Sequence, residues 1–356
     1  MKQKIVEIEI LRGFAALAVV LIHVSATYLQ PKGDDRVFLL LSAFNTFPKF
    51  AVQMFIFISG MVLFYSYSDR ECKAGSFYIK RFKYLLLPYA FWTAVYLCNR
   101  AGFLSKPFLE QGLLFLQNFI NGKGSYHLYF ILLILQFYLL FPLLHKYIQR
   151  FGLGKRLLFW SAIGYLLLVY LDYYTGSIEK YLPNYLVLIR SHLFVYWYIY
   201  FLLGAYAGIN FKKWQTKIKR FVLPSGILML ITWGIITFEY YFSVRHSNID
   251  YGLAATPLKP SIYVYTMVSI IVLYALAQHL AKKDSILKKI FTSAGKYSLG
   301  IYFAHPLILK FVAGWQLSSL IIVNFVLTYI LTVAITWGFA MVFSKNKKAA
   351  LMMGTA

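Results

Sequence analysis

Runs of about twenty apolar residues recur along this chain from one end to the other, and no other feature constrains its fold as tightly. A helix needs roughly 20 residues to cross the bilayer's hydrocarbon core, and inside it only helices and closed barrels keep every backbone group bonded. By that ruler, spans fall near residues 8–29, 49–67, 84–100, 126–145, 157–175, 191–210, 221–242, 261–281, 291–309 and 316–343. The expected fold is all-α: a polytopic bundle of about ten transmembrane helices. The apolar stretches 37–47 and 108–120 are too short to span alone and read as interfacial or re-entrant pieces on the outer side. The first run contains Arg12 and no small-x-small cleavage site closes it, so it reads as a permanent helix rather than a signal peptide.

Between these runs no polar block is large enough for a soluble domain. Only 13% of residues are charged, against about 25% in soluble domains. Residues 1–343 therefore read as one integral-membrane domain, and 344–356 as a short basic tail. A net charge of +24 raises the question of a nucleic-acid partner, but the basic residues occupy short loops between spans instead of forming one patch. On one set of alternate segments stand 25 of the 36 Lys and Arg, and on the other set 11. The positive-inside rule makes the richer side cytoplasmic and places both termini there. The expected setting is a multi-pass protein of the cell membrane, with the lipid bilayer as a partner and no nucleic acid. Cys72 and Cys98 fall on opposite sides, which excludes a disulfide between them.

Ionisable side chains inside spans are costly and are functional candidates by default. In the first span Arg12 and His23 stand eleven residues apart, on one face and about 16 Å apart along the axis. Ala15, Ala16 and Val19 lie along the same stripe, where small residues permit close approach. Arg12 can also simply snorkel to the headgroups, and His23 can serve as an interhelical hydrogen bonder. In the ninth span Ser298, Tyr302 and His305 share a face. Pro306 has no N–H for the Tyr302 carbonyl and disfavours helical geometry before it, which predicts that the helix opens at His305. Lys80, Arg81 and Lys83 form a basic run at the inner side that suits a polyanionic donor, although topology alone also requires such charges. His127 stands where a helix begins and ranks as secondary. His145 and His279 at inner helix ends, and His192 and His246 at the outer side, are explained by snorkelling or solvation. The stripe Asn324, Thr328, Thr332 and Thr336 reads as interhelical hydrogen bonding, and Glu239 as facing water. No metal site is read from these residues.

Six segments carry a resemblance. Arg12-Gly13 through His23 is similar to the opening helix of the membrane-bound acyltransferase family 3. Met54-Phe55-Ile56-Phe57-Ile58-Ser59-Gly60 resembles its aromatic Ser-Gly segment, and Phe77 to Lys83 followed by Leu87-Pro88-Tyr89 its basic run before Pro-Tyr. Tyr126-His127-Leu128-Tyr129-Phe130 with Leu139-Leu140-Phe141-Pro142, then Phe201-Leu202-Leu203-Gly204, then Gly295 through His305, complete the order. Tyr84 stands where many members have a further Arg. The resemblance implies an acyl-CoA-dependent O-acyltransferase that moves an acyl group, acetyl or succinyl, to a sugar hydroxyl of an envelope or exported glycan or glycolipid. No cofactor is permanently bound; acyl-CoA, most simply acetyl-CoA, is the donor substrate. A hydroxyl needs a base within reach as it attacks a thioester. His23 is assigned that role, with His305 or Tyr302 orienting it or stabilising the oxyanion. Arg12, Lys80, Arg81 and Lys83 are assigned to donor phosphates.

Two other readings remain open: an exporter or flippase for a polysaccharide or lipid-linked sugar, and a structural partner in a glycan synthase or export complex. Transporters more often show internal repeats with paired broken helices, and no convincing repeat relates the two halves. The topology makes its own prediction. A reporter fused in the 210–220 loop or after Lys348 should read cytoplasmic, and one in 245–259 outside; an outside signal after Lys348 would require an odd number of spans.

Overall fold

The computed structural model describes residues 5–30, 32–175, 190–246 and 254–355. Fifteen α-helices with short 3-10 turns make up its regular structure, and no strand occurs among the described residues. In chain order they are α1 (Val6–Tyr28), α2 (Asp35–Thr46), α3 (Ala51–Tyr67), α4 (Ala74–Cys98), α5 (Phe108–Asn121), α6 (Tyr129–Phe151), α7 (Lys155–Tyr170) and α8 (Tyr198–Ile209). Next come α9 (Phe211–Lys217), α10 (Val222–Arg245), α11 (Pro260–Lys282), α12 (Ile286–Lys296), α13 (Ser298–Ala313), α14 (Ile321–Phe343) and α15 (Lys347–Met352). The chain is an all-α, multi-pass membrane protein.

Among the described residues, seven helical stretches are long and apolar enough to cross a bilayer, and α8 and α13 are shorter apolar helices. The difference from ten expected spans has local causes. Residues 191–210 begin as two 3-10 turns, Arg190–His192 and Phe194–Tyr196, before α8 starts. The expected span 291–309 is divided at Tyr297 into α12 and α13. The expected span 84–100 corresponds to the second part of α4, which ends at Cys98; the helix has the length to cross but carries Lys80, Arg81 and Lys83 in its first half. The 37–47 stretch, expected as a separate piece, runs through the 3-10 turn Phe47–Phe50 into α3, giving 33 continuous residues. Asp34 caps the start of α2 by accepting from the Arg36 and Val37 amides. The 108–120 stretch is helix α5, which packs on α4 and leaves Phe108, Leu109, Leu113, Leu116 and Ile120 exposed.

α1 is the hub. It packs against α2, α3, α11, α12, α13 and α14, and Leu11, Ala15, Ala16, Val19 and Val20 are buried. Its closest neighbour is α12, where Gly13 meets the Phe291 carbonyl and Gly295 meets the Glu9 carbonyl; neither position has room for a Cβ. α3 and α8 repeat the device through Gly60, Gly204 and Gly208. Among membrane helices small residues let backbones touch, because packing rather than water exclusion drives association.

Several details correct the reading from sequence. Of the expected tail 344–356, the described residues 344–355 are folded: α15 packs on α4, Trp92 Nε1 donates to the Met352 carbonyl at 3.2 Å, and Met353 is buried beside Gly300. Glu239 does not only face water, since Ser261 Oγ donates to it at 2.6 Å and Lys259 Nζ lies 3.6 Å away. His145 is buried, with Nε2 donating to the Tyr67 carbonyl at 2.9 Å. Of the Asn324 stripe, only Thr328 has a hydrogen bond to another helix among the described residues, to Tyr28 Oη at 2.7 Å. Cys72 and Cys98 are free thiols at either side of α4.

The glycine contacts generate a test. Gly204→Val should place a branched side chain against the Phe57 carbonyl and destabilise the bundle by about 1–3 kcal/mol or more, read as a lower thermal midpoint in detergent. Gly226→Ala, with nothing within 4 Å of the added Cβ, should leave the midpoint unchanged.

Candidate active site

Three histidines from three segments meet in the bundle. His23 comes from α1, His305 from α13, and His127 from the turn that opens α6. The His305 ring centroid is 5.2 Å from that of His23, with the planes nearly parallel, and 5.3 Å from that of His127. Tyr126 lies 4.8 Å from the His23 ring, and Tyr302 5.1 Å from that of His127.

Pro306 explains how His305 is held, though not in the way the sequence suggested. α13 runs unbroken from Ser298 to Ala313, so the helix does not open at His305. The proline removes the amide that would have served the Tyr302 carbonyl. His305 Nδ1 fills that place, 2.8 Å from the Tyr302 oxygen and 3.1 Å from the Ile301 oxygen. A carbonyl only accepts, so Nδ1 carries the proton and Nε2 holds the lone pair. His305 is fully buried, and its Nε2 has no hydrogen-bond partner among the described residues.

His127, ranked second from sequence, is equally committed. Its Nδ1 is 3.1 Å from Ser125 Oγ, and its buried Nε2 has no partner among the described residues. The Tyr302 hydroxyl donates to the His127 carbonyl, which uses its single O–H. Tyr302 thus pins the backbone of His127 and has no proton left for an oxyanion. Tyr96 Oη donates to the Phe303 carbonyl at 2.7 Å, bracing the same stretch of α13.

Two cavities approach the cluster. One, of about 540 Å³, is lined by Arg12, Lys80, Arg81 and Lys296, with Ser59, Tyr84 and Tyr138 among its other walls. None of the four cations forms a salt bridge with a carboxylate among the described residues. Arg81 instead lies over the rings of Tyr138 and Phe77, at 5.6 and 5.7 Å. These cations come from three separate segments of the basic side, so one cavity collects charge that the sequence scatters. Lys83 is not among its walls and is exposed; at 100° per residue it points away from the face shared by residues 80, 81, 84 and 85. Lys296, missed from sequence, lines the cavity because α12 ends there. The second cavity, of about 200 Å³, is lined by His23, His127, Lys49, Tyr126, Tyr129 and Ala255 among others. Phe130 and Tyr302 line both cavities and stand between them.

The family model described as an acyltransferase domain matches residues 5–341. The chain belongs to that family, acyltransferase family 3. A relative from Staphylococcus aureus (strain Mu50 / ATCC 700699), named "Probable poly-beta-1,6-N-acetyl-D-glucosamine export protein", is 27% identical over 231 residues. That match covers 64% of this chain and 61% of the relative, so the chain spans about three fifths of the relative's length. A relative of the same name from Staphylococcus epidermidis is 23% identical over 313 residues, 87% of this chain and 82% of the relative. No solved structure matches the chain.

Within this family member, the bond from His305 to the Tyr302 carbonyl predicts a separation of stability from chemistry. His305→Asn keeps an N–H near that carbonyl and should unfold near the wild-type temperature. His305→Ala leaves a buried carbonyl unpaired and should lose about 1–3 kcal/mol. Equal midpoints for the two variants would refute this account of the ring's anchoring.

Proposed function

We propose that this family 3 protein transfers an acyl group from acyl-CoA, held in the larger cavity, to a hydroxyl of a sugar unit in the smaller one. The observation that carries the reading is the pairing of cavities: a cation-lined one and an aromatic, histidine-lined one share Phe130 and Tyr302 beside three imidazoles. The four cations, without a carboxylate salt bridge among the described residues, suit the phosphates of a CoA ester, and a guanidinium grips phosphate bidentately. By the charge count this cavity opens to the cytoplasm, where acyl-CoA resides. The thioester end then lies toward Tyr302, with the nucleotide at Arg12, Lys80, Arg81 and Lys296.

The chemistry needs a base for the hydroxyl and a proton for the leaving thiolate. Neutral imidazole, with an ordinary pKa near 6.5, serves both. His23 lines the smaller cavity and takes the hydroxyl proton as the sugar oxygen attacks the thioester carbonyl. The C–S bond breaks, the ester forms, and the proton ends on the thiolate sulfur. His305 offers its Nε2 lone pair to the same cluster, and Tyr302 acts through its hold on the His127 carbonyl. The relatives are named for export of poly-β-1,6-N-acetyl-D-glucosamine, which supports an acceptor of that class: a glycan of the cell envelope or one exported from it. The acyl group is acetyl or succinyl, and a glycan synthase or export complex in the bacterial cell membrane is the natural partner.

Those names also support export as a second reading. Against it, the smaller cavity is about 200 Å³, the scale of a single sugar ring rather than of a polymer strand.

His23→Ala should insert normally yet reduce acyl transfer about 100- to 10,000-fold, read as loss of the acyl mass increment from the glycan. Near-normal acylation would end the catalytic assignment, and it would favour export if export itself failed. With purified protein, Arg81→Ala should raise the acyl-CoA concentration for half-maximal rate, with little loss at saturation. Arg12→Lys, which keeps the charge without the fork, should also weaken donor use. Lys83→Ala should match wild type; equal donor dependence in all four proteins would remove acyl-CoA from this cavity.

A further inference from the structure

We infer that Lys49 positions the acceptor in the smaller cavity and restricts it to a sugar unit with an uncharged nitrogen substituent, such as an N-acylated hexosamine, against one bearing a free amine. The inference rests on the proposed acyl transfer only for naming the cavity's occupant as the acceptor.

Lys49 lies in the 3-10 turn Phe47–Phe50 between α2 and α3, with 7% of its surface exposed. A lysine here is unusual: most of the chain's basic residues collect on the opposite side. Its Nζ donates to the Ala255 carbonyl at 2.5 Å and lies 5.7 Å from the centre of the Tyr240 ring. No carboxylate pairs with it among the described residues, because Glu239 is engaged by Ser261 and Lys259. A lysine amino group has more N–H donors than one carbonyl uses. The remainder belong to a cavity that also holds His23 and His127.

The walls define what those donors can meet. Tyr126, Tyr129, Phe130 and Tyr302 give flat apolar faces suited to the C–H side of a sugar ring. No Asp or Glu is among the described lining residues. An acetamide carbonyl or ring hydroxyl can accept from Lys49, whereas a free amine offers it no such carbonyl and, when protonated, enters a space with no Asp or Glu among its described lining residues. A buried charge without a partner is strongly disfavoured, and unsatisfied pairing against the wrong ligand is how such sites discriminate. Lys49 also holds the Ala255 carbonyl, so it fixes one wall of the cavity while reaching for its occupant.

The test compares β-1,6-linked glucosamine oligomers, fully N-acetylated or fully de-N-acetylated, on the purified full-length protein. Equilibrium binding is measured for each oligomer and for acyl-CoA, and transfer rates are measured in parallel. Wild type should bind the N-acetylated oligomer at least about tenfold more tightly than the amine form. Lys49→Met should weaken binding of the N-acetylated oligomer about tenfold, the scale of one buried hydrogen bond, narrow the preference, and leave acyl-CoA affinity unchanged. Lys49→Arg should restore the preference. Unchanged oligomer binding and preference in Lys49→Met would overturn the inference, as would wild type binding neither oligomer. Wild type that binds with the expected preference yet transfers nothing would refute the acyl-transfer reading while leaving this one standing. Should Lys49→Met fail to fold, Lys49→Gln takes its place: its amide is uncharged and one bond shorter, and the same weakened binding and narrowed preference are expected.

Discussion

At membrane depth a backbone carbonyl without its amide partner finds no water to replace it, and in α13 that constraint is met by a side chain. Pro306 strips the Tyr302 carbonyl of its donor, and His305 Nδ1 supplies one at 2.8 Å. The consequence runs outward from that bond. It fixes the tautomer, orients the ring against His23 and His127, and leaves a lone pair on a fully buried Nε2. Tyr302 continues the chain of dependence from the next turn, because its hydroxyl holds the carbonyl of His127. The helix continues through Pro306 to Ala313, and the side chain that replaces its lost backbone bond becomes part of the site.

The second constraint is geometric. α1 carries both Arg12 and His23, and can present them to two different cavities only because α12 and α13 lie directly against it. Gly13 and Gly295 make that approach possible by putting backbone against backbone. The break at Tyr297 separates the two helices; Lys296 and Ser298 line the cation-lined cavity, while His305, two turns further along α13, joins the histidine cluster. One helix pair thus spans the distance between a charged cavity and a histidine cluster. Phe130 and Tyr302, shared by both cavities, mark where they come closest.

Membership in acyltransferase family 3, over residues 5–341, agrees with this arrangement. The relatives' names describe export, and a protein of this kind can work beside an exporter without itself being the conduit. In the proposed transfer, the aromatic cavity of about 200 Å³ with its lysine holds a single sugar unit.

Much was legible without coordinates, for physical reasons. The apolar runs dictated helices because lipid admits little else, and the spacing of Arg12 and His23 placed both on one face because a helix has only one period. Ser298, Tyr302 and His305 were assigned a common face for the same reason, and the structure brings Tyr302 and His305 into one cluster with His23. What a linear pattern cannot carry is which faces meet. Lys83 belongs to the same basic run as Lys80 and Arg81 but points elsewhere. Neither Lys296 nor Lys49 stood out in the sequence as a site residue, and both line cavities. Pro306 announced a missing hydrogen bond, yet only the fold showed that the histidine beside it supplies the replacement. Residues 344–356 read as a tail because short basic segments usually are, and Met353 is buried because Gly300 leaves a space for it. The sequence by itself determined the helices, the family and the candidate residues on each face, since these follow from local period and composition. The tertiary structure decided which of them share a cavity, which protons are already used and which nitrogens remain free, because those depend on contacts between segments hundreds of residues apart.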